Sequence, residues 1–150
     1  MTPMQEAMLA SAIADHGTLM RPYMVDKVTA PDLTTLNTTQ PTVLSRPVTP
    51  AIAQNVTDMM TQVTQNAQGT AHISAGLQAS GGIVIAAKTG TAQNGINNSG
   101  LDDAVFTCFA PAANPKIAVG VVVKGGGQGA DAAAPIAVAI IKAYLNAVGQ

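Results

Sequence analysis

Lys88-Thr89-Gly90-Thr91 is the stretch of this chain whose residue types and spacing suggest chemistry. No Asp, Glu, Lys or Arg occurs from Met59 through Ala87, nor from Thr89 through Leu101, so the Lys88 cation stands alone in a long uncharged stretch. It ends the apolar run Ile83-Val-Ile-Ala-Ala87, which reads as a buried strand. Alternation along a strand puts the Thr89 and Thr91 hydroxyls on one face. Gly90 between them leaves space for another backbone or a ligand. A cation with two hydroxyls and backbone N–H groups beside it is a receptor for a carboxylate. N–H donors at the same place suit an oxyanion developing in acyl transfer. A strand-end lysine ordinarily extends its ammonium into water; the flanking Thr-Gly-Thr turns this one toward function.

The other chemically able residues carry less. Gly82-Ile-Val-Ile-Ala-Ala-Lys88-Thr89 approaches the phosphate-loop pattern, but Ala87 stands where the second glycine belongs. The residues after Lys88 also cannot continue as the required helix, so nucleotide binding is rejected. His16 precedes a helix-ending glycine, where a cation suits the helix dipole. His72 has no partner at metal-ligand spacing. Cys108 falls within an apolar strand and reads as an inert buried thiol. Asp102 and Asp103, as neighbours on a strand, would face opposite ways, and a solvated loop explains them better. The Gly125–Gly129 run reads as a turn clearing the neighbouring strand. No metal or cofactor is implied.

Elements must position Lys88, and their signals are legible. Thr2-Pro3-Met4-Gln5 is a capping box with proline at the first helical position, and Gly17 supplies the stop. Met4, Met8, Leu9, Ala12 and Ile13 form this helix's apolar stripe. Arg21–Val25 reads as extended, and Thr29–Pro47 as a Thr/Pro-rich connection with short edge strands. Thr49-Pro50 opens a second helix, with Ile52, Val56, Met59, Met60 and Val63 on its core face. Gly69 to Gly82 reads as a loop. Strands over Ile83–Thr89, Ala104–Phe109 and Lys116–Lys124 follow, the last with Ile117, Val119, Val121 and Val123 on one face. A final helix from Asp131 to Val148 presents Ile136, Ile140, Tyr144, Leu145 and Val148. The fold class is α+β: an antiparallel sheet flanked by helices.

Composition bounds the rest. The 150 residues suit one domain or part of one. A net charge of −1 offers no basic surface for nucleic acid, and one cysteine precludes an internal disulfide. No apolar run reaches the ~18 residues of a membrane span, and Met1–Glu6 lacks the basic and apolar regions of a signal peptide. Aromatics are 3% of residues, so small side chains must fill the core. Each buries little area, at about 25 cal/mol per Å². The expectation is a chain that belongs against a partner segment.

Lys88-Thr-Gly-Thr-Ala-Gln93 resembles the Lys-Thr-Gly box of the penicillin-binding proteins and serine β-lactamases. Thr2-Pro-Met-Gln-Glu-Ala-Met8 through Ala12-Ile-Ala-Asp-His-Gly17 to Arg21-Pro22 resembles the helix preceding that box in class B penicillin-binding transpeptidases, and Gly69-Thr-Ala71 their approach to it. Ala104-Val-Phe-Thr-Cys-Phe-Ala-Pro111, Asn114-Pro-Lys-Ile-Ala-Val119 and Gly126 to Pro135 resemble the strands and closing helix after it. The actinobacterial penicillin-binding protein A type resembles the chain most; a β-lactamase fits less well.

The resemblance implies a transpeptidase fold and peptidoglycan cross-linking by serine acyl transfer, with stem peptides and β-lactams as ligands. It implies action at the extracytoplasmic face of the cell membrane, with any anchor outside this chain. By resemblance Lys88 supplies positive potential near the nucleophile and the substrate carboxylate. The Thr89 and Thr91 hydroxyls hold that carboxylate, Gly90 keeps the wall clear, and the Thr91 N–H forms half the oxyanion hole. The family's other two boxes are missing. Ser11, Ser45, Ser74, Ser80 and Ser99 have Ala14, Val48, Leu77, Ile83 and Asp102 three positions on, so there is no Ser-x-x-Lys, and there is no Ser-x-Asn. Residues 1–150 therefore read as the C-terminal portion of a transpeptidase domain, inactive alone, whose partner is the N-terminal half. The alternatives are a non-catalytic module of the same fold, docked on a partner or paired with a second copy by element exchange, and a β-lactamase fragment.

Overall fold

A computed structural model of the chain describes residues 1–72 and 82–149. Helix α1 (Pro3–Ala14) begins where the capping box demands. The Thr2 hydroxyl accepts the Gln5 N–H at 3.2 Å, and the Thr2 N–H donates to Gln5 Oε1 at 2.8 Å. Helix α2 (Pro50–Gln65) starts on Thr49, whose hydroxyl accepts the Ile52 N–H at 3.4 Å, with proline again in the first turn. Between the helices lie four short strands: β1 (Leu19–Met20), β2 (Lys27–Thr29), β3 (Thr35–Thr38) and β4 (Val43–Ser45). They form two antiparallel pairs, β1 with β4 and β2 with β3. Arg21–Val25, expected as an extended segment, joins β1 to β2 without forming a strand of its own. The loop expected from Gly69 to Gly82 lies largely outside the described residues.

The main sheet is the expected antiparallel meander, β5 (Ala86–Ala92), β6 (Asp103–Ala110) and β7 (Ile117–Val123), in that order. Its first strand starts three residues later than Ile83 and runs through the whole Lys-Thr-Gly-Thr segment. Lys88 is thus the third residue of a strand and not its end. Ile85 is buried all the same, as core without strand pairing. A π-helical turn, Gly129–Ala133, leads into α3 (Ala134–Ala147). Together they make a 19-residue stretch with a mean hydropathy of 1.2, long and apolar enough to cross a membrane, one face of which packs on the sheet.

The two faces of the sheet are packed differently. Ala104, Phe106, Cys108 and Ala110 of β6 join Val119 and Val121 of β7 against Ala137, Val138, Ile141 and Leu145 of α3. On the opposite face Phe109 and Ala86 pack with Ala10 of α1 and Met60 of α2. Gly120 allows α1 to lie this close: a Cβ there would sit 2.5 Å from the Pro3 carbonyl oxygen.

The helix core faces agree with expectation at Ala12 and Ile13 of α1, Val56, Met60 and Val63 of α2 and Leu145 of α3, and differ elsewhere. On α3, Ile136, Ile140, Tyr144 and Val148 are between 40% and 49% exposed, and only Leu145 of the expected set is buried. On α2 the buried residues are Ala53, Thr57, Met60 and Thr64, while Ile52 and Met59 face outward; on α1, Met4 and Leu9 do the same. Alanines such as Ala10, Ala134 and Ala137 permit short helix–sheet separations beside the larger Met60, Val138, Ile141 and Leu145. Other large apolar side chains, Leu9, Met59, Ile136 and Ile140 among them, are left on the outer surfaces.

Candidate functional site

Register places the site. In the β5–β6 ladder Lys88 lies opposite Thr107, Thr89 opposite Phe106, Gly90 opposite Val105 and Thr91 opposite Ala104. Alternation therefore sends Lys88 to the face covered by α1 and α2, and Thr89 and Thr91 together to the other. The cation and the two hydroxyls do not project side by side, as the isolated tetrapeptide suggested. They share something else: β5 is an outer strand of the three-stranded sheet, with one edge unpaired among the described strands. All four residues line one groove that runs along that edge.

The groove has a volume of about 740 Å³. Its floor is β5 with Val105 and Thr107 of β6; its walls are Leu9 and Ile13 of α1 and Val56, Met59 and Val63 of α2. The lining is apolar except for the strand residues, Thr107 and Glu6. Leu9 is 55% and Met59 62% exposed, so the walls stand open.

Within this setting the site's polar groups have definite partners. The Lys88 ammonium, exposed at the mouth, donates to the Thr89 carbonyl at 2.6 Å. Thr89 Oγ1 is 3.0 Å from Thr70 Oγ1, which ties the Gly69-Thr70-Ala71 approach to the strand. The Ala71 N–H, donating to the Val63 carbonyl, pins that approach to α2. Thr91 is exposed on the far side of Gly90. The close approach expected at Gly90 is made by Gly129: a Cβ on Gly129 would lie 2.6 Å from the Gly90 carbonyl oxygen and 2.2 Å from that of Val105. The glycine run does clear the neighbouring strand.

Other candidates fall outside the groove lining. Cys108 is buried on the α3 face, and burial pushes its thiol up to about 12. Asp103 is not in a solvated loop but opens β6, half-buried, with its carboxylate accepting the Gly125 N–H at 2.7 Å. His72 Nδ1 is engaged by the Thr64 carbonyl at 3.1 Å. His16 is exposed with φ 50 beyond α1, and the helix end is closed by the Gly17 N–H on the Ala12 carbonyl. Three residues of the site escaped sequence reasoning. Thr70 was legible in the Gly-Thr-Ala approach. Thr107 is the one hydroxyl in β6, a usable signal. Glu6 is an acid in the first turn of α1, where any carboxylate complements the helix dipole, and only the fold reveals where it points.

Comparison with known proteins agrees with this architecture. The penicillin-binding-protein transpeptidase domain model matches residues 1–142. The chain is 40% identical to the peptidoglycan D,D-transpeptidase PbpA of Mycolicibacterium smegmatis, over 97% of this chain and 30% of that protein. The crystal structure of PBPA from Mycobacterium tuberculosis superposes with a TM-score of 0.85 at 37% identity, covering 97% of this chain and 34% of that one. The ceftriaxone acyl-enzyme complex of the same protein also superposes at 0.85, with 37% identity over 95% of this chain and 32% of that one. The chain thus spans about a third of the proteins it matches.

Proposed function

Because the chain belongs to the penicillin-binding-protein transpeptidase family, we propose that it forms the C-terminal portion of a serine D,D-transpeptidase. In this reading it supplies the Lys88-Thr89-Gly90-Thr91 wall of the active-site cleft. The observation that carries the reading is the position of Lys88. It is a cation on an open-edged strand, at the mouth of a groove whose apolar walls await the rest of the domain.

The complementary segment contributes the nucleophilic serine. Its oxygen bonds to the carbonyl carbon of the penultimate D-Ala of a peptidoglycan stem peptide. The peptide bond to the terminal D-Ala breaks, and that residue leaves with a proton on its amine. An amine of a neighbouring stem then attacks the ester, forms the cross-linking amide and releases the serine. Negative charge develops on the carbonyl oxygen in both steps. The Thr91 N–H stabilises it alongside the nucleophile's own N–H. The Thr89 and Thr91 hydroxyls hold the substrate's terminal carboxylate, which a β-lactam mimics, and the Lys88 ammonium provides a positive field for both anions. Action on peptidoglycan places the assembled protein at the extracytoplasmic face of the membrane.

Labelling with a fluorescent penicillin tests this. The chain alone stays unlabelled, the complete protein is acylated, and Lys88→Ala in the complete protein slows acylation by about 10² or more. Unchanged acylation in that variant removes Lys88 from the site. The open apolar walls also fit a module that docks on a partner or a second copy. Sedimentation of this chain as a stable, cooperatively melting monomer counts against that alternative. Rapid hydrolysis of the drug by the complete protein would indicate a β-lactamase instead.

A further inference from the structure

The groove lining holds a second charged residue, Glu6, for which the acyl-transfer scheme above has no use. Glu6 sits in the first turn of α1, and the Thr107 hydroxyl donates to its Oε2 at 2.5 Å. Thr107 is nearly buried and directly opposite Lys88 in the β5–β6 ladder. Directly opposed residues on one face have Cβ atoms about 4.5–5.5 Å apart. Thr107 therefore clamps the Glu6 carboxylate on the face where Lys88 projects. In this structure the ammonium turns to the Thr89 carbonyl and makes no ion pair among the described residues.

Covering the groove changes the balance. The wall residues from α1 and α2 are apolar apart from Glu6, so an ammonium enclosed there loses water without gaining a partner from them. Burying an uncompensated charge is strongly unfavourable, and opposite charges attract more strongly as the surroundings become less polar. The other ionisable groups on the elements beside β5 are occupied or exposed. His72 is engaged by the Thr64 carbonyl, Asp131 on the π-helical turn is exposed, and Asp103 bonds the Gly125 N–H.

Resting on the reading of this cleft as a transpeptidase wall, we propose that Glu6 is a positioning residue for acyl transfer: clamped by Thr107, it is the counter-charge that orients Lys88 once the groove is closed. A carboxylate that only complements the helix dipole would affect the stability of α1 and nothing else.

The test is a double-mutant cycle on penicillin acylation of the complete protein, with thermal melting as a folding control. Glu6→Gln lowers the second-order acylation rate constant about tenfold, and Thr107→Val, which removes the clamp but keeps the carboxylate, lowers it by a similar factor. Thr107→Ser restores the rate. In a Lys88→Ala background Glu6→Gln has no further effect, since the group it acts through is gone. If Glu6→Gln does not fold, the Thr107 pair and its cycle with Lys88→Ala carry the test alone. Unchanged rates in Glu6→Gln or Thr107→Val, or effects that simply multiply with that of Lys88→Ala, overturn the inference and leave the transpeptidase reading intact. If Lys88→Ala itself acylates normally, that reading fails instead.

Discussion

The two faces of the β5–β6–β7 sheet are built to different ends. On the α3 face, Phe106, Cys108, Ile141 and Leu145 are all but inaccessible to solvent. That face is a finished core. On the α1/α2 face the buried cluster is small, formed by Phe109, Ala86, Ala10 and Met60, and beside it the groove opens with Leu9 and Met59 more than half exposed. The same strands serve both, because alternation assigns odd and even positions to opposite faces. The difference teaches that the side of the sheet that holds β5 in place is not the side that presents Lys88: the closed face is core, the open face carries the cation, and Thr89 and Thr91 meet the groove along the strand edge between them.

Truncation on the closed face gives the largest expected effect. Phe106→Ala removes a fully buried ring from the α3 core and should destabilise the chain by about 3–5 kcal/mol in denaturant unfolding. A loss below about 1 kcal/mol would mean the α3 face is not the main core. Thiol reactivity separates the faces next. Cys108 reacts only when the structure opens, whereas a cysteine introduced by Met59→Cys lies on the open wall. A thiol reagent near neutral pH should label the introduced site faster by a factor on the order of 10² or more. The buried thiol has a second consequence. With its value pushed from 9.0 up to about 12, the unfolded chain loses this proton first. Stability then falls as pH rises from about 9 towards 12 and is unaffected by Cys108 below that window. Cys108→Ala flattens this alkaline decline.

Thr64 bridges the two regions. Its hydroxyl donates to the Ile85 carbonyl at 2.7 Å, pinning α2 to the segment that leads into β5. Thr64→Val should cost about 1 kcal/mol in unfolding, plus the penalty of leaving that carbonyl without its donor. A larger fractional loss of acylation than of stability in the complete protein would show that this anchor positions Lys88.

How much of this was legible follows from where the determining forces lie. Local signals were read well. The Thr2 and Thr49 caps, Gly17 and the alternation of Ile117, Val119, Val121 and Val123 set their elements through bonds within a few residues. The start of β5 was misplaced because Ile83-Val-Ile85 looks like a strand by side-chain type, while pairing with β6 begins at Ala86 and runs on through Gly90, a poor strand former, to Ala92. Lys88 was found because its isolation in charge is a property of the sequence itself. The partition of Lys88 from Thr89 and Thr91 was implicit in strand alternation. Glu6 and its clamp were not legible: residues 6 and 107 meet only through the tertiary fold.

The helix faces were misassigned at particular positions, for a reason that yields the smallest predicted effect and the sharpest test. Periodicity finds the large apolar side chains and assumes that they face this chain's own core. On α2 that stripe includes Met59, which is 62% exposed, while its neighbours Met60 and Val56 pack with Ala86 and Phe109 of the sheet. If the stripe belongs to an interface completed by the rest of the domain, Met59→Ala should change the stability of this chain by no more than about 0.5 kcal/mol, as for an ordinary surface site. The same substitution in the complete protein should cost about 2 kcal/mol or more, as for a buried methionine. Equal, small costs in both settings would leave the groove an open surface, and the contrast between the two faces would then say nothing about a missing partner. A large cost in this chain alone would mean that Met59 is already core, and that the open face is less open than its geometry implies.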